Sequence, residues 1–83
     1  MATKHTVTDS KGQVHTRTSQ GRVYSHAVVT HFKAQPADGN WRERPAYTHC
    51  EWRSRLDLAE QCANGARNSS TVDSVEIIPA VRS

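Results

Sequence analysis

Residues 21–32, GRVYSHAVVTHF, constrain this chain more than any other stretch, because they are its longest run that reads as ordered structure. Val23, Val28, Val29 and Thr30 are branched at Cβ, which favours an extended backbone. Side chains alternate faces along a strand. Tyr24, His26, Val28, Thr30 and Phe32 therefore share one face, and Val23, Ser25, Ala27, Val29 and His31 the other. His26 and His31 are five residues apart and point in opposite directions, so a regular strand cannot offer both to one metal ion. The identity of the buried face stays open. The small Val23/Ala27/Val29 face suits an alanine-rich helix, which would leave Tyr24, His26 and Phe32 as an exposed aromatic surface. Burial of the Tyr24/Val28/Phe32 face would instead make His26 a core histidine.

The rest of the chain supplies few elements to pack against this strand. Residues 4–18 alternate in a threonine-rich pattern around Ser10-Lys11-Gly12, which predicts a polar β-hairpin with Gly12 free to take a positive φ. Ser19-Gln20-Gly21 is the next turn. Residues 33–48 read as a long loop, from Pro36, Asp38-Gly39 and Pro45, with extended structure allowed in YTHCEW. Ser54 is the expected N-cap of the one helix, with Asp57 and Glu60 near the positive end of its dipole. At 100° per residue, Leu56, Leu58, Ala59, Cys62, Ala63 and Ala66 fall on one side, and Asn64-Gly65 is the expected stop. TVDSVEIIPA reads as a last strand, Val75 and Ile77 facing opposite to Glu76, ended by Pro79. These elements predict an α+β fold: a small antiparallel sheet in β-β-β-α-β order, with one amphipathic helix packed on one face, in a single domain spanning residues 1–83.

Composition narrows the function. With 83 residues, of which 35% are hydrophobic, the core must be small, and such domains lean on a partner, a metal or oligomerisation. A substrate pocket with its own supporting shell is hard to fit in, so an enzyme is not expected. The net charge of +3 favours acidic partners, nucleic acid included, but no run of like charges forms a dense basic patch. The start, MATKHTVTDSKG, is polar and unlike a signal peptide. Cys50 and Cys62 are accordingly expected as free thiols in a reducing compartment. No stretch has the length and apolarity of a transmembrane helix, and no membrane partner is expected.

Chemistry-bearing constellations are sparse. His49, Cys50, Cys62 and a further histidine lack the tight paired spacing of structural zinc sites, so neither a metal nor another cofactor is expected. Cysteine, histidine and acid are all present, but no local signature marks a nucleophile and no glycine-rich turn offers phosphate-binding amides. One cluster stands out. Trp41, Arg42, Arg44, Tyr47, Trp52, Arg53 and Arg55 place both tryptophans and four arginines within fifteen residues. These residue types dominate binding hot spots and can also stack bases and neutralise phosphates. With Tyr24 and His26 they form the expected partner-binding set. The structural alternative is that Trp41 and Trp52 close the small core, with the arginines as its solvated rim.

RTSQGRVYSHAVV, the later WRSRLDLAE and the closing VEIIPA together resemble small uncharacterised proteins encoded by actinobacterial phages and prophages, over roughly Thr6 to Ala80. The resemblance implies a phage origin, a place in the host cytoplasm, and action by binding and redirecting a host protein. It carries no catalytic or binding residues. The expectation is thus a non-enzymatic binding protein directed at a host protein, with nucleic acid as the rival target of segment 41–55. A homodimer is a further expectation, because an uncovered sheet face or edge invites self-pairing.

Overall fold

Threonines alternating with charged and apolar residues set up the first hairpin. In the computed structural model, which describes residues 2–36 and 42–82, β1 (Ala2–Thr8) pairs antiparallel with β2 (Val14–Gln20), Thr6 opposite Thr16. Asp9 builds the turn. Its carbonyl accepts the Gly12 N–H (3.0 Å), and its Oδ1 accepts the N–H groups of Lys11 (2.9 Å) and Gln13 (3.0 Å). Gly12 takes φ +82°, a conformation that strains other residues.

The branched run becomes β3 (His26–Phe32), the centre of a second sheet. β4 (Tyr47–Arg53) pairs with it on one side, Trp52 opposite Ala27 and Tyr47 opposite Phe32. β5 (Val72–Pro79) pairs on the other, Ile78 opposite Ala27 and Val75 opposite Thr30. The helix α1 (Leu56–Arg67) links β4 to β5 and crosses the face of β3. At Pro79–Ala80 the chain passes into the first sheet, where β6 (Val81–Arg82) pairs with β1. The class is the expected α+β, built from two three-stranded antiparallel sheets and one helix packed on a sheet face.

Three local readings are corrected. Residues 47–53, read as loop with some extended chain, form a full strand, because Pro45 lies just outside the ladder and removes no hydrogen bond from it. The helix N-cap is Arg55, in extended conformation and without a side-chain cap, rather than Ser54. Gly65 does not stop the helix, which continues to Arg67; Gly65 is exposed and takes no positive φ, so it acts as an ordinary helical residue.

The open question of the buried face resolves into both. Val28 packs against Ala59 and Ala63 of α1, with Cys62, Val75 and Ile77 around them. Ala27 and Val29 pack on the opposite side with Val7, Tyr24 and Trp52. β1 covers that second side, so β3 is sandwiched and carries a nearly continuous buried run from Ala27 to His31. Tyr24 precedes the strand and escapes its alternation, joining the Ala27/Val29 side rather than the His26 side. Among the described residues no helix is long and apolar enough to cross a membrane.

Candidate ligand groove

The strand ladder divides the expected binding residues between two ends of the β3–β4 hairpin. At the Ala27/Trp52 end the aromatic residues are interior. Trp52 is 9% exposed and Tyr24 6%. His5 stands between them at 0% exposure, its ring 5.1 Å from that of Tyr24 and 6.1 Å from that of Trp52. His5 Nε2 accepts the Tyr24 backbone N–H at 3.0 Å, which leaves Nδ1 to carry the proton toward the Arg17 carbonyl at 3.3 Å. The Arg17 guanidinium lies 5.3 Å over the Tyr24 ring. Tyr24 and Trp52 are therefore core residues, not a contact surface. Burial decides this, because β1 lies over them.

The arginines of that end are also engaged. Arg53 bonds to the Trp52 carbonyl at 2.9 Å and pairs with Glu51. Arg55 pairs with Asp57 at 3.2 Å, with both side chains about two-thirds exposed. His26, half-buried, lies 2.7 Å through Nδ1 from Ser25 Oγ. Trp41 lies outside the described residues.

At the Phe32/Tyr47 end the arrangement is open. The two rings stack in parallel, centroids 4.5 Å apart and planes 9° from parallel, and Tyr47 is 53% exposed. Beyond them the hairpin continues as an arm, closed by paired backbone bonds between Gln35 and Arg44 at 2.7 and 2.8 Å. The Lys33 N–H bonds to the Thr71 carbonyl at 2.8 Å and ties the arm to the α1–β5 connection. Between these elements runs a groove of about 420 Å³. Phe32, Tyr47 and Pro36 give it apolar walls; Lys33, Arg42 and Arg44 bring three cations to it. Among the described residues no carboxylate lines it, and none of its cations is in an ion pair.

Arg42, Arg44 and Tyr47 of the expected set thus meet, while Tyr24, His26, Trp52, Arg53 and Arg55 lie elsewhere. Phe32 and Lys33 join from the end of β3. Lys33 sits in what the sequence presents as loop, and nothing marks it apart from other lysines. The Phe32–Tyr47 stack follows from the β3–β4 register, which could be read only by recognising β4 as a strand.

The remaining ionisable groups form two further clusters. His31, 1% exposed, lies between sheets, its Nε2 2.6 Å from Glu76 Oε2 and its Nδ1 3.2 Å from Thr48 Oγ1. Glu76 also accepts the Ser10 N–H (3.0 Å) and the Ser10 hydroxyl (3.0 Å), so it fastens the β1–β2 turn to the central sheet. Burial pushes the Glu76 carboxyl up, but the bonds from His31 and Ser10 outweigh it and hold the group below its ordinary 4.5. Asp9 is held low chiefly by its bond to His15, against the opposing effect of burial.

The second cluster joins His49, Glu51, Arg53 and Cys62. The Cys62 thiol donates to Glu51 at 3.4 Å. Burial, then Glu51, pushes this thiol up. Cys50 is pushed up to about 11 by burial and by the charges of Asp9 and Glu51. Both sulfurs are held as thiols, the opposite of what a nucleophile needs. Among the described residues no three histidine, cysteine or acidic side chains gather as a metal site. Compared with known proteins, the chain matches no family model, no curated protein and no solved structure.

Proposed function

We propose that this chain is a non-enzymatic binding module that engages an anionic partner through the groove at the Phe32/Tyr47 end. The observation that carries the reading is the joint placement of a stacked aromatic pair, its Tyr47 half-exposed, and three cations around a recess that no carboxylate lines among the described residues. Aromatic and arginine side chains supply contact energy, and like-signed walls around a concavity concentrate opposite charge within it. The raised thiols support a role without nucleophilic catalysis. Under the phage resemblance the module would act in the host cytoplasm, and a host protein would need an acidic face to fit this groove.

The test is titration of the chain with an abasic phosphodiester oligomer and with poly-aspartate, followed by backbone amide shifts in NMR. Binding of either polyanion that moves Lys33, Arg44 and Tyr47, and that Arg42→Glu/Arg44→Glu abolishes, is the expected result. Shifts spread over the surface, unaffected by that double variant, would refute the groove as the contact.

A further inference from the structure

We infer that the anionic partner is single-stranded nucleic acid, with one unpaired base stacked on Tyr47 and its neighbouring phosphates held by Lys33, Arg42 and Arg44; this rests on the groove being the anion-binding surface proposed above. Charge alone would suit an acidic peptide equally well. The rings separate the two. Phe32 and Tyr47 are already stacked face to face at 4.5 Å, and Tyr47 remains 53% exposed. Its accessible surface offers a place for a third flat ring, which a base has and a carboxylate side chain lacks. The cations border the same recess as the rings, so phosphates flanking a stacked base come within their reach. Arg42 and Arg44 both line the recess, while Glu43 between them does not, so the alternation keeps the acid off the ligand side. The recess, about 420 Å³, falls within the range of small-ligand sites, roughly 300–1,000 Å³. Duplexes hide base faces within their own stack, which excludes them from this mode.

The mode is sequence-tolerant, because every base has a π-face and no side chain of the groove is needed to read a base edge. It also fixes the salt response. Three phosphates neutralised by three cations give a slope of log affinity on log salt of about −2 for a single strand.

Fluorescence anisotropy on the whole chain tests this with three probes: a short oligothymidylate, an abasic phosphodiester of equal length and a hairpin duplex of equal charge. The expected result is that oligothymidylate binds about tenfold or more tighter than the abasic oligomer, with the duplex no tighter than the abasic oligomer. Tyr47→Ala should erase that preference while leaving the abasic affinity in place, and Tyr47→Phe, which keeps the ring, should retain it. Circular dichroism verifies that both variants keep the fold. Equal affinity for the base-bearing and abasic oligomers would overturn the stacked base and leave the anion-binding groove standing. Poly-aspartate competing as well as oligothymidylate would overturn it in favour of an acidic protein. Failure of every polyanion would overturn both proposals.

Discussion

The two ends of the β3–β4 ladder carry almost the same residue types and use them oppositely. Tyr24 and Trp52 sit with a histidine and Arg17 at one end; Phe32 and Tyr47 sit with Lys33, Arg42 and Arg44 at the other. Trp52 is 9% exposed and Tyr47 53%. The difference lies in what covers them. β1 lies over the first end and brings His5 and Val7 down on it. On the other face α1 covers Val28, with Val75 and Ile77 packed around the contact, while the Phe32/Tyr47 pair faces the groove. Aromatic and arginine content therefore marks neither core nor contact surface until the covering element is known.

The sharpest way to break the comparison is Trp52→Ala. It should lower unfolding free energy by about 3–5 kcal/mol, the range for a large buried aromatic, measured by urea denaturation. A loss near zero would mean that β1 does not cover this end in solution. His5→Ala comes next. It removes the acceptor of the buried Tyr24 N–H and should cost about 1–3 kcal/mol. The Tyr24 amide should then lose hydrogen-exchange protection while amides of α1 keep theirs.

How much of this contrast the sequence could show follows from the same cover. The β1–β2 hairpin was legible from threonine alternation and Gly12, α1 from its apolar side, and β5 from Val75, Glu76 and Ile77, since each of these signals is local. The burial of both faces of β3 was not legible. The hairpin that covers one face sends down only a histidine and a valine in its middle, His5 and Val7, so it reads as polar throughout. β4 was obscured by Pro45 and by its mixture of Tyr47, His49, Glu51 and Trp52, which shows no clean apolar face because one side meets a core and the other is largely open. The groove inherits that blindness: Arg42, Arg44 and Tyr47 were visible, Phe32 was seen only as part of one candidate strand face, and Lys33 was not singled out.

The fastening between the sheets gives a third test, through pH. Glu76 is held below its ordinary 4.5 in the folded chain. Its contribution is fully present above that ordinary value and is lost as pH falls through the lower folded value. Asp9, also depressed, adds to the same acid limb from its ordinary 3.8 downward. Stability should therefore decline as the solution is acidified below about pH 4.5. Glu76→Gln, which keeps one acceptor oxygen but no charge, should flatten the upper part of that limb in thermal melts. An unchanged profile would remove the Ser10–Glu76–His31 bonds as a fastening of the hairpin.

The smallest effect on stability is expected at the residue on which the base preference rests. Tyr47→Ala forfeits one stacked aromatic pair at a half-exposed site, worth about 0.5–1.5 kcal/mol beyond burial. It creates no enclosed cavity, since the groove is already open beside it. Its loss should stay well below that of Trp52→Ala under the same urea titration, although both residues lie on the same strand. Equal losses would mean that Tyr47 is a structural residue and that the two ends do not differ in kind. A small loss, with circular dichroism unchanged, would leave an exposed stacked ring among three cations that the fold does not require, and that is the condition under which a ligand can be what the ring is for.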